Sequence, residues 1–129
     1  MIVSAGDGHN TIYNLLGGRF LDKKLAERFQ DWKLISPIVT ISYGVKQEFP
    51  DEPPLNFLLL KNPLLVGDVS LTGFPVRIFN YGDRFAPKGK TVVQVLLHTD
   101  WNWWNELQKD RPRYDAAKKK IGEEVLARL

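Results

Sequence analysis

The sequence contains no cysteine, a single methionine and only two histidines. Without cysteine it can form no disulfide, no thiolate zinc site and no thiol nucleophile, and such a composition fits a reducing compartment. The histidines, His9 and His98, lie far apart without the spacing of metal ligands. We therefore expect no metal catalysis, and we predict a cytoplasmic protein.

Long apolar runs are also missing. The longest, residues 55 to 66, is interrupted by polar residues and by Pro63, so it is too short and too broken to cross a bilayer. Met1 is followed by the strand-like Ile2 and Val3 rather than by a basic leader, so no signal peptide is predicted.

Neither sign of charge dominates the chain. The formal net charge is +3, and the 18 basic residues are spread along the whole sequence, so no nucleic-acid partner is expected. The densest basic site, residues 118 to 120, lies beside Glu123 and Glu124, which is typical of a solvated helix face. The hydrophobic fraction of 43% is close to the average for globular proteins, and 129 residues suit one core. We expect a single domain over residues 1 to 129.

The amino-terminal pattern predicts a buried strand and two helices. Met1 to Ala5 is a short apolar run that ends in the turn-forming residues 6 to 8. A helix should follow, capped by Asp7 and ended by the glycines 17 and 18. A second helix is predicted from Asp22. The apolar residues expected on the inner faces of these helices are Ile12, Leu15, Leu16, Leu25, Phe29 and Trp32.

The middle of the chain predicts strands joined by short turns. Residues 38 to 45 alternate most clearly, so Val39, Ile41, Tyr43 and Val45 should share one face. The further predicted strands are Asn56 to Lys61, Phe74 to Phe79 and Thr91 to His98. Asn62 and Pro63 predict a turn after the second of the four.

From Trp101 the pattern becomes helical. A short segment is followed by a break at Arg111 and Pro112, where proline suits a first helical turn. The apolar stripe of the last helix is Tyr114, Ala117, Ile121, Val125 and Leu129. The element order predicts an α+β fold, in which an antiparallel or mixed sheet of about four to five strands carries helices packed on it at the amino and carboxy ends.

The turn from Gly6 to Thr11 invites comparison with nucleotide-binding loops. A predicted strand precedes it and a helix follows. However, Thr11 occupies the position of the third glycine that close helix-to-strand packing requires, and no compact strand-helix-strand unit follows. An ordinary capping turn explains the segment more simply, and a compact nucleotide-binding protein is the weakest of three hypotheses.

Three segments resemble a known family. Residues 2 to 9 (Ile-Val-Ser-Ala-Gly-Asp-Gly-His), followed by Thr11 and by Leu-Leu-Gly at 15 to 17, are similar to an internal segment of phytoene dehydrogenase-related proteins. Residues 83 to 91 (Asp-Arg-Phe-Ala-Pro-Lys-Gly-Lys-Thr) resemble a second stretch of that family, and the helical residues 101 to 129 resemble a third. The family comprises FAD-dependent oxidoreductases related to carotenoid desaturases and amine oxidases.

The resemblance implies a fragment of the substrate-binding domain of a larger flavoprotein. The family's amino-terminal G-x-G-x-x-G unit and its carboxy-terminal glycine-rich segment have no counterpart in this sequence, which starts within the first predicted strand and stops within the last predicted helix. The missing FAD-binding domain would then be the partner, and the isolated chain would bind no FAD and be inactive. The residues implied to lie close to FAD in the parent are Ser4, Ala5, Gly6 and Asp7.

Several alternatives remain open at this stage. The four small residues could instead simply form the turn, and we name no catalytic residue, because the flavin itself accepts the hydride. The strands Asn56 to Leu60, Phe74 to Phe79 and Val92 to Leu97 could form one wall of a site for a hydrophobic, for example isoprenoid, substrate, or they could be ordinary core. The alternative function is a stand-alone α+β module that binds a hydrophobic ligand or a protein partner.

Two further predictions concern the surface of the chain, namely self-association and the orientation of the tryptophans. A homodimer is one way to cover the exposed sheet edge and the apolar surface of such a fragment. Trp101 and Trp104 share a helical face and are predicted to anchor their helix to the sheet. Trp103 is predicted to point elsewhere, towards another domain or subunit.

Overall fold

A computed structural model describes residues 3–33 and 35–129, which fall into two compact units. The first unit is Met1–Ile35 and the second is Ser36–Leu129. The expectation that residues 1 to 129 act as a single domain stays a prediction.

The amino-terminal unit contains a π-helix, Asn10–Leu15, and the helix α1, Lys23–Asp31. The predicted cap at Asp7 and the predicted start of a second helix at Asp22 are confirmed. Asp7 Oδ1 accepts a hydrogen bond from the backbone N–H of Asn10 at 2.7 Å, and Asp22 Oδ1 accepts one from the N–H of Leu25 at 2.7 Å, so each carboxylate satisfies a free donor of the first turn. The first segment ends at two glycines with φ of 59° and 72°, Gly17 and Gly18.

An aromatic cluster joins these two helices. The rings of His9 and Tyr13 stack with their centroids 4.3 Å apart, and the Phe29 ring meets both edge-on at 5.6 and 5.8 Å. Phe29 therefore faces inwards as its helical spacing predicts. Leu15 and Trp32 are exposed, so the predicted inner faces are only partly confirmed.

The predicted amino-terminal strand is wrong where the structure describes it. Met1 and Ile2 lie outside the described residues, whereas Val3 to Ala5 belong to no strand and Val3 is 75% exposed. An extended segment needs a neighbouring strand to pair its N–H and C=O groups. The described part of this unit supplies helices and turns, so apolar composition alone does not make this segment a strand.

The second unit contains an antiparallel sheet and two helices. The strands lie in the order β1-β4-β3-β2, and every neighbouring pair is antiparallel. The bounds are β1 Ile38–Val45, β2 Leu55–Val66, β3 Val69–Ile78, β4 Thr91–His98, α2 Trp101–Leu107 and α3 Arg111–Leu126. The predicted α+β class is confirmed, and β1 and β4 have the predicted bounds.

Strand β2 runs through the predicted turn at Asn62 and Pro63. The pairing with β3 shifts register between Leu59 and Leu64, and β2 lies at the edge of the sheet. Proline is tolerated at an edge or a bulge, because the N–H that it lacks is not needed for the ladder there. The chain reverses instead at Gly67, whose φ of 64° suits a tight hairpin.

One face of the sheet, called the inner face, packs against α3. On β4 it carries Thr91, Val93, Val95 and Leu97, which are all buried. The hydrophobic core consists of Leu64, Val66, Phe74, Val76, Val93, Val95, Leu97, Ile121 and Val125. The Tyr43 hydroxyl donates a hydrogen bond to the Gly122 carbonyl oxygen at 2.7 Å and fixes β1 to α3. Leu129, predicted to continue the apolar stripe, lies beyond the end of α3 and is half exposed.

Two of the three neighbouring tryptophans, Trp101 and Trp103, differ from prediction. Trp104 does pack against the core, and its Nε1 donates to the buried Thr99 hydroxyl at 2.8 Å. Trp101 is 63% exposed and anchors nothing. Trp103 packs over the β2–β3 turn, since a Cβ added at Gly67 would lie 3.0 Å from its ring. The cap formed by Asp100 and the bond to Thr99 set the rotation of this short helix, which helical spacing alone does not determine.

Candidate functional site

The second face of the sheet, called the outer face, exposes large apolar side chains. On β2 the alternate residues Leu55, Phe57 and Leu59 point away from the core, and Phe57 and Leu59 are 64% and 78% exposed. Directly opposite them on β3 are Arg77, Pro75 and Gly73, because residues paired in an antiparallel register share a face. An apolar row of this kind on a sheet face is typical of a surface that is covered in the functional protein.

Phe57 lies across the neighbouring strand. A Cβ added at Gly73 would stand only 2.6 Å from Phe57 Cε1 and 2.7 Å from the Leu58 carbonyl oxygen. The ring therefore needs glycine beneath it, and the position of the exposed aromatic side chain is fixed by the backbone.

A polar row crosses the same face beside Leu55. Arg77 is paired with Gln94, which is paired in turn with Ser42 on β1. The Gln94 side-chain amide donates to the Ser42 hydroxyl at 3.1 Å. The Arg77 guanidinium carbon lies 6.0 Å from the centroid of the Phe79 ring. Among residues 3–33 and 35–129, Arg77 forms no ion pair.

Phe79 links this face to a cluster of exposed aromatic rings. Phe79 and Tyr81 both contact Phe85 at centroid distances of 5.1 Å, and they lie 5.9 Å from one another. Tyr81 and Phe85 are about half exposed. Three aromatic rings close to a cation can bind a flat or apolar group.

A cleft of about 480 Å³ lies beside this aromatic cluster. Its wall is formed by two loops, one between β1 and β2 and one between β3 and β4. The lining residues are Glu48, Phe49, Pro50, Phe79, Asn80, Gly82, Asp83, Ala86, Pro87, Lys88, Lys90 and Thr91. A volume in this range suits a small-molecule ligand.

Two side chains join the loops of the cleft. The Asn80 amide donates to the carbonyl oxygens of Phe49 and Glu52 at 2.7 and 2.6 Å, and the Gly89 N–H donates to Glu48 Oε1 at 2.7 Å. Gly89 has a φ of 78°, which a side chain rarely adopts, so the loop requires glycine there. These bonds hold the cleft open between segments that are distant in sequence.

The family-like segment 83 to 91 supplies half of this cleft. Its residues at the wall are Asp83, Ala86, Pro87, Lys88, Lys90 and Thr91. The motif therefore coincides with a concave surface. Acidic and basic groups are both present there, and the shape does not by itself select one ligand charge.

The four residues implied to approach FAD lie together in one exposed turn of the amino-terminal unit. The Ser4 and Thr11 hydroxyl oxygens are 2.8 Å apart, and the Thr11 hydroxyl donates to the Asp7 carbonyl oxygen at 2.8 Å. Ala5 and Gly6 are exposed, and a Cβ added at Gly6 would have nothing closer than Ser4 Oγ at 3.9 Å. The turn thus has room above Gly6 for another molecule, or simply for solvent.

Two kinds of feature are absent from the part of the chain that the structure describes. None of its helices combines the length and apolarity needed to cross a bilayer. It contains no group of three or more histidine, aspartate or glutamate side chains placed to hold a metal ion.

Fold and site together define an α+β chain with an open antiparallel sheet, one covered face and one apolar face. Comparisons with protein-family models, with curated proteins and with solved structures found no match.

Three residues of the site were not singled out from the sequence. Glu48 and Asn80 lie in loops, and each bonds to the other loop of the cleft only when the strands have paired. The sequence around Arg77 could have identified it, because Arg77 is the only charged residue of β3 and stands between the apolar Val76 and Ile78. A charged side chain on a central strand indicates that the face on which it lies is in contact with water or with a polar group.

Proposed function

We propose that this chain is part of the substrate domain of a FAD-dependent oxidoreductase related to phytoene dehydrogenases, acting on a hydrophobic substrate of which isoprenoids are one class. The observation that carries the proposal is the outer face, where Leu55, Phe57 and Leu59 stand exposed while α3 covers the opposite face. A sheet with helices on one side and open apolar side chains on the other is suited to form one wall of an apolar site.

Two of the three segments that resemble the family fit this division of roles. Ser4 to Asp7 form an open turn with room above Gly6, as a backbone approaching a planar cofactor requires. Residues 83 to 91 form a cleft that shares Phe79 with the aromatic cluster near the outer face. Orientation and exclusion of water are what a protein supplies when the flavin performs the redox step.

The first test is the full-length product of the reading frame that encodes this chain. Purified from its native frame, it should carry stoichiometric flavin, read as yellow absorbance that is released on denaturation. A frame without a dinucleotide-binding element, or a protein that stays colourless after flavin reconstitution, would contradict the proposal.

A pair of glycine variants tests the cofactor turn in that protein. Gly6→Val should lower the flavin content, because the added side chain occupies the space assigned to FAD while meeting no atom of the chain closer than 3.9 Å at Cβ. Gly44→Val is the matched control, since its Cβ also has open space, and it should keep its flavin. Equal flavin content in the two variants would remove Ser4 to Asp7 from the cofactor site.

A stand-alone module that binds a hydrophobic ligand or a protein partner is the second candidate. It is favoured by one observation, namely that the cleft is built entirely within the unit Ser36–Leu129. Failure of the flavin test would leave this candidate as the preferred function.

A further inference from the structure

We infer that the substrate is an amphipathic long-chain carboxylate rather than a pure hydrocarbon, and that Arg77 binds its carboxylate group. The inference rests on the proposed function and names the substrate class of the outer face. Arg77 is the only charged residue of β3, and it stands at the end of the apolar row of β2.

The position of Arg77 defines the orientation of the bound ligand. Leu55 lies directly opposite Arg77, whereas Phe57 and Leu59 follow at increasing distance along β2. Alternate residues on one face of a strand are about 7 Å apart, so the row from Leu55 to Leu59 extends for about 14 Å. An extended alkyl or isoprenoid chain on this row would place its head group at Arg77 and its tail at Leu59.

The charge of Arg77 determines what the head group must be. An apolar molecule covering the outer face would bury the guanidinium, which remains protonated in proteins, and a buried unpaired charge is strongly unfavourable. The described residues provide no carboxylate partner, and the neighbouring Gln94 amide is already bonded to Ser42. A ligand that brings an anion would satisfy this charge on binding, and a carboxylate matches the two parallel donors of arginine.

Phe79 holds the cation towards this position. Its ring lies 6.0 Å from the guanidinium carbon and is in turn packed against Phe85 at 5.1 Å. A cation resting on an aromatic ring keeps its N–H groups free to donate at its edge, so the contact orients Arg77 without consuming the donors.

The test compares two probes with the same tail, oleate and oleyl alcohol, below their aggregation concentrations. Calorimetric titration of the full-length protein should show oleate binding about tenfold more tightly than the alcohol, as expected for a charge-assisted hydrogen bond. Arg77→Met, which keeps the apolar stem, should reduce oleate affinity to that of the alcohol and leave alcohol affinity unchanged. Arg77→Lys should retain part of the preference.

Arg113→Met is the matched control, because Arg113 is an exposed arginine on α3, the helix that packs against the inner face. It should keep the wild-type preference for oleate. Equal binding of the two probes by the wild type, binding of neither probe, or an unchanged preference in Arg77→Met would each overturn the inference. The last result would show that a group other than Arg77 recognises the carboxylate of the probe. Flavin content is read separately, so loss of the flavin proposal and loss of the carboxylate site are distinguishable.

Discussion

The two faces of the sheet carry similar apolar side chains in opposite environments. On the inner face Phe74 is buried beneath α3. On the outer face Phe57, two residues after Leu55 on β2, is largely exposed to solvent. Phe57 lies on β2 and Phe74 on β3, and both stand in apolar stretches of sequence. The inner face therefore carries the hydrophobic core of this unit, whereas the outer face leaves its apolar side chains exposed.

The largest expected effect separates the two faces directly. Phe74→Ala should lower the free energy of unfolding by about 3–5 kcal/mol, because it opens a cavity in a fully packed core. Phe57→Ala is the matched control and should change it by less than about 1 kcal/mol, since the ring is already largely hydrated. Urea denaturation followed by circular dichroism measures both. Comparable losses in the two variants would mean that the outer face is also part of the core.

Gly73→Ala tests the close approach of the Phe57 ring to the backbone at Gly73 on the outer face. The new Cβ would press on the Phe57 ring and on the Leu58 carbonyl oxygen, and such overpacking costs about 1–3 kcal/mol. Combining it with Phe57→Ala should restore only part of the loss, because the carbonyl oxygen of the backbone stays in place. Full restoration in the double variant would show that the ring alone causes the strain.

The smallest effect concerns Tyr43 on the inner face. Tyr43→Phe removes the hydrogen bond to the Gly122 carbonyl and should cost about 1 kcal/mol below pH 10. Burial raises the pKa of the Tyr43 hydroxyl above its usual value, since desolvation disfavours the phenolate. The folded state therefore holds this proton more tightly than the unfolded state does.

The stability gained from this proton is complete below the ordinary tyrosine pKa of about 10 and declines as the pH rises through the raised value. The difference in unfolding free energy between wild type and Tyr43→Phe should accordingly shrink above about pH 10. Paired denaturation curves at pH 7 and at alkaline pH measure this, and a difference independent of pH would exclude Tyr43 as the titrating group.

Sequence patterns predicted β1, β4 and the carboxy-terminal helices well because their signals are local, but they found only about half of β2 and of β3. Alternation located β1 and β4, and the three-to-four spacing of Ile121 and Val125 located the buried stripe of α3. The prediction of a turn at Asn62 and Pro63 was wrong because proline disrupts a central strand but is tolerated in an edge strand. The local sequence does not determine which strand lies at the edge. The candidate site was predicted only in part. Segment 83 to 91 was found, but Glu48, which accepts a hydrogen bond from Gly89 of that segment, and Asn80, which bonds to the loop between β1 and β2, were not.

The sequence by itself determined the α+β class, the cap at Asp7, the start of a helix at Asp22, and the absence of thiol chemistry, since each depends on residue type and short-range spacing. Only the tertiary structure decided which apolar strand positions became core and which became the outer face. Alternation divides a strand into two sets of side chains but does not say which set a helix will cover. That choice follows from the packing of α3 against one side of the sheet, and it leaves Arg77 and Phe57 on the exposed side.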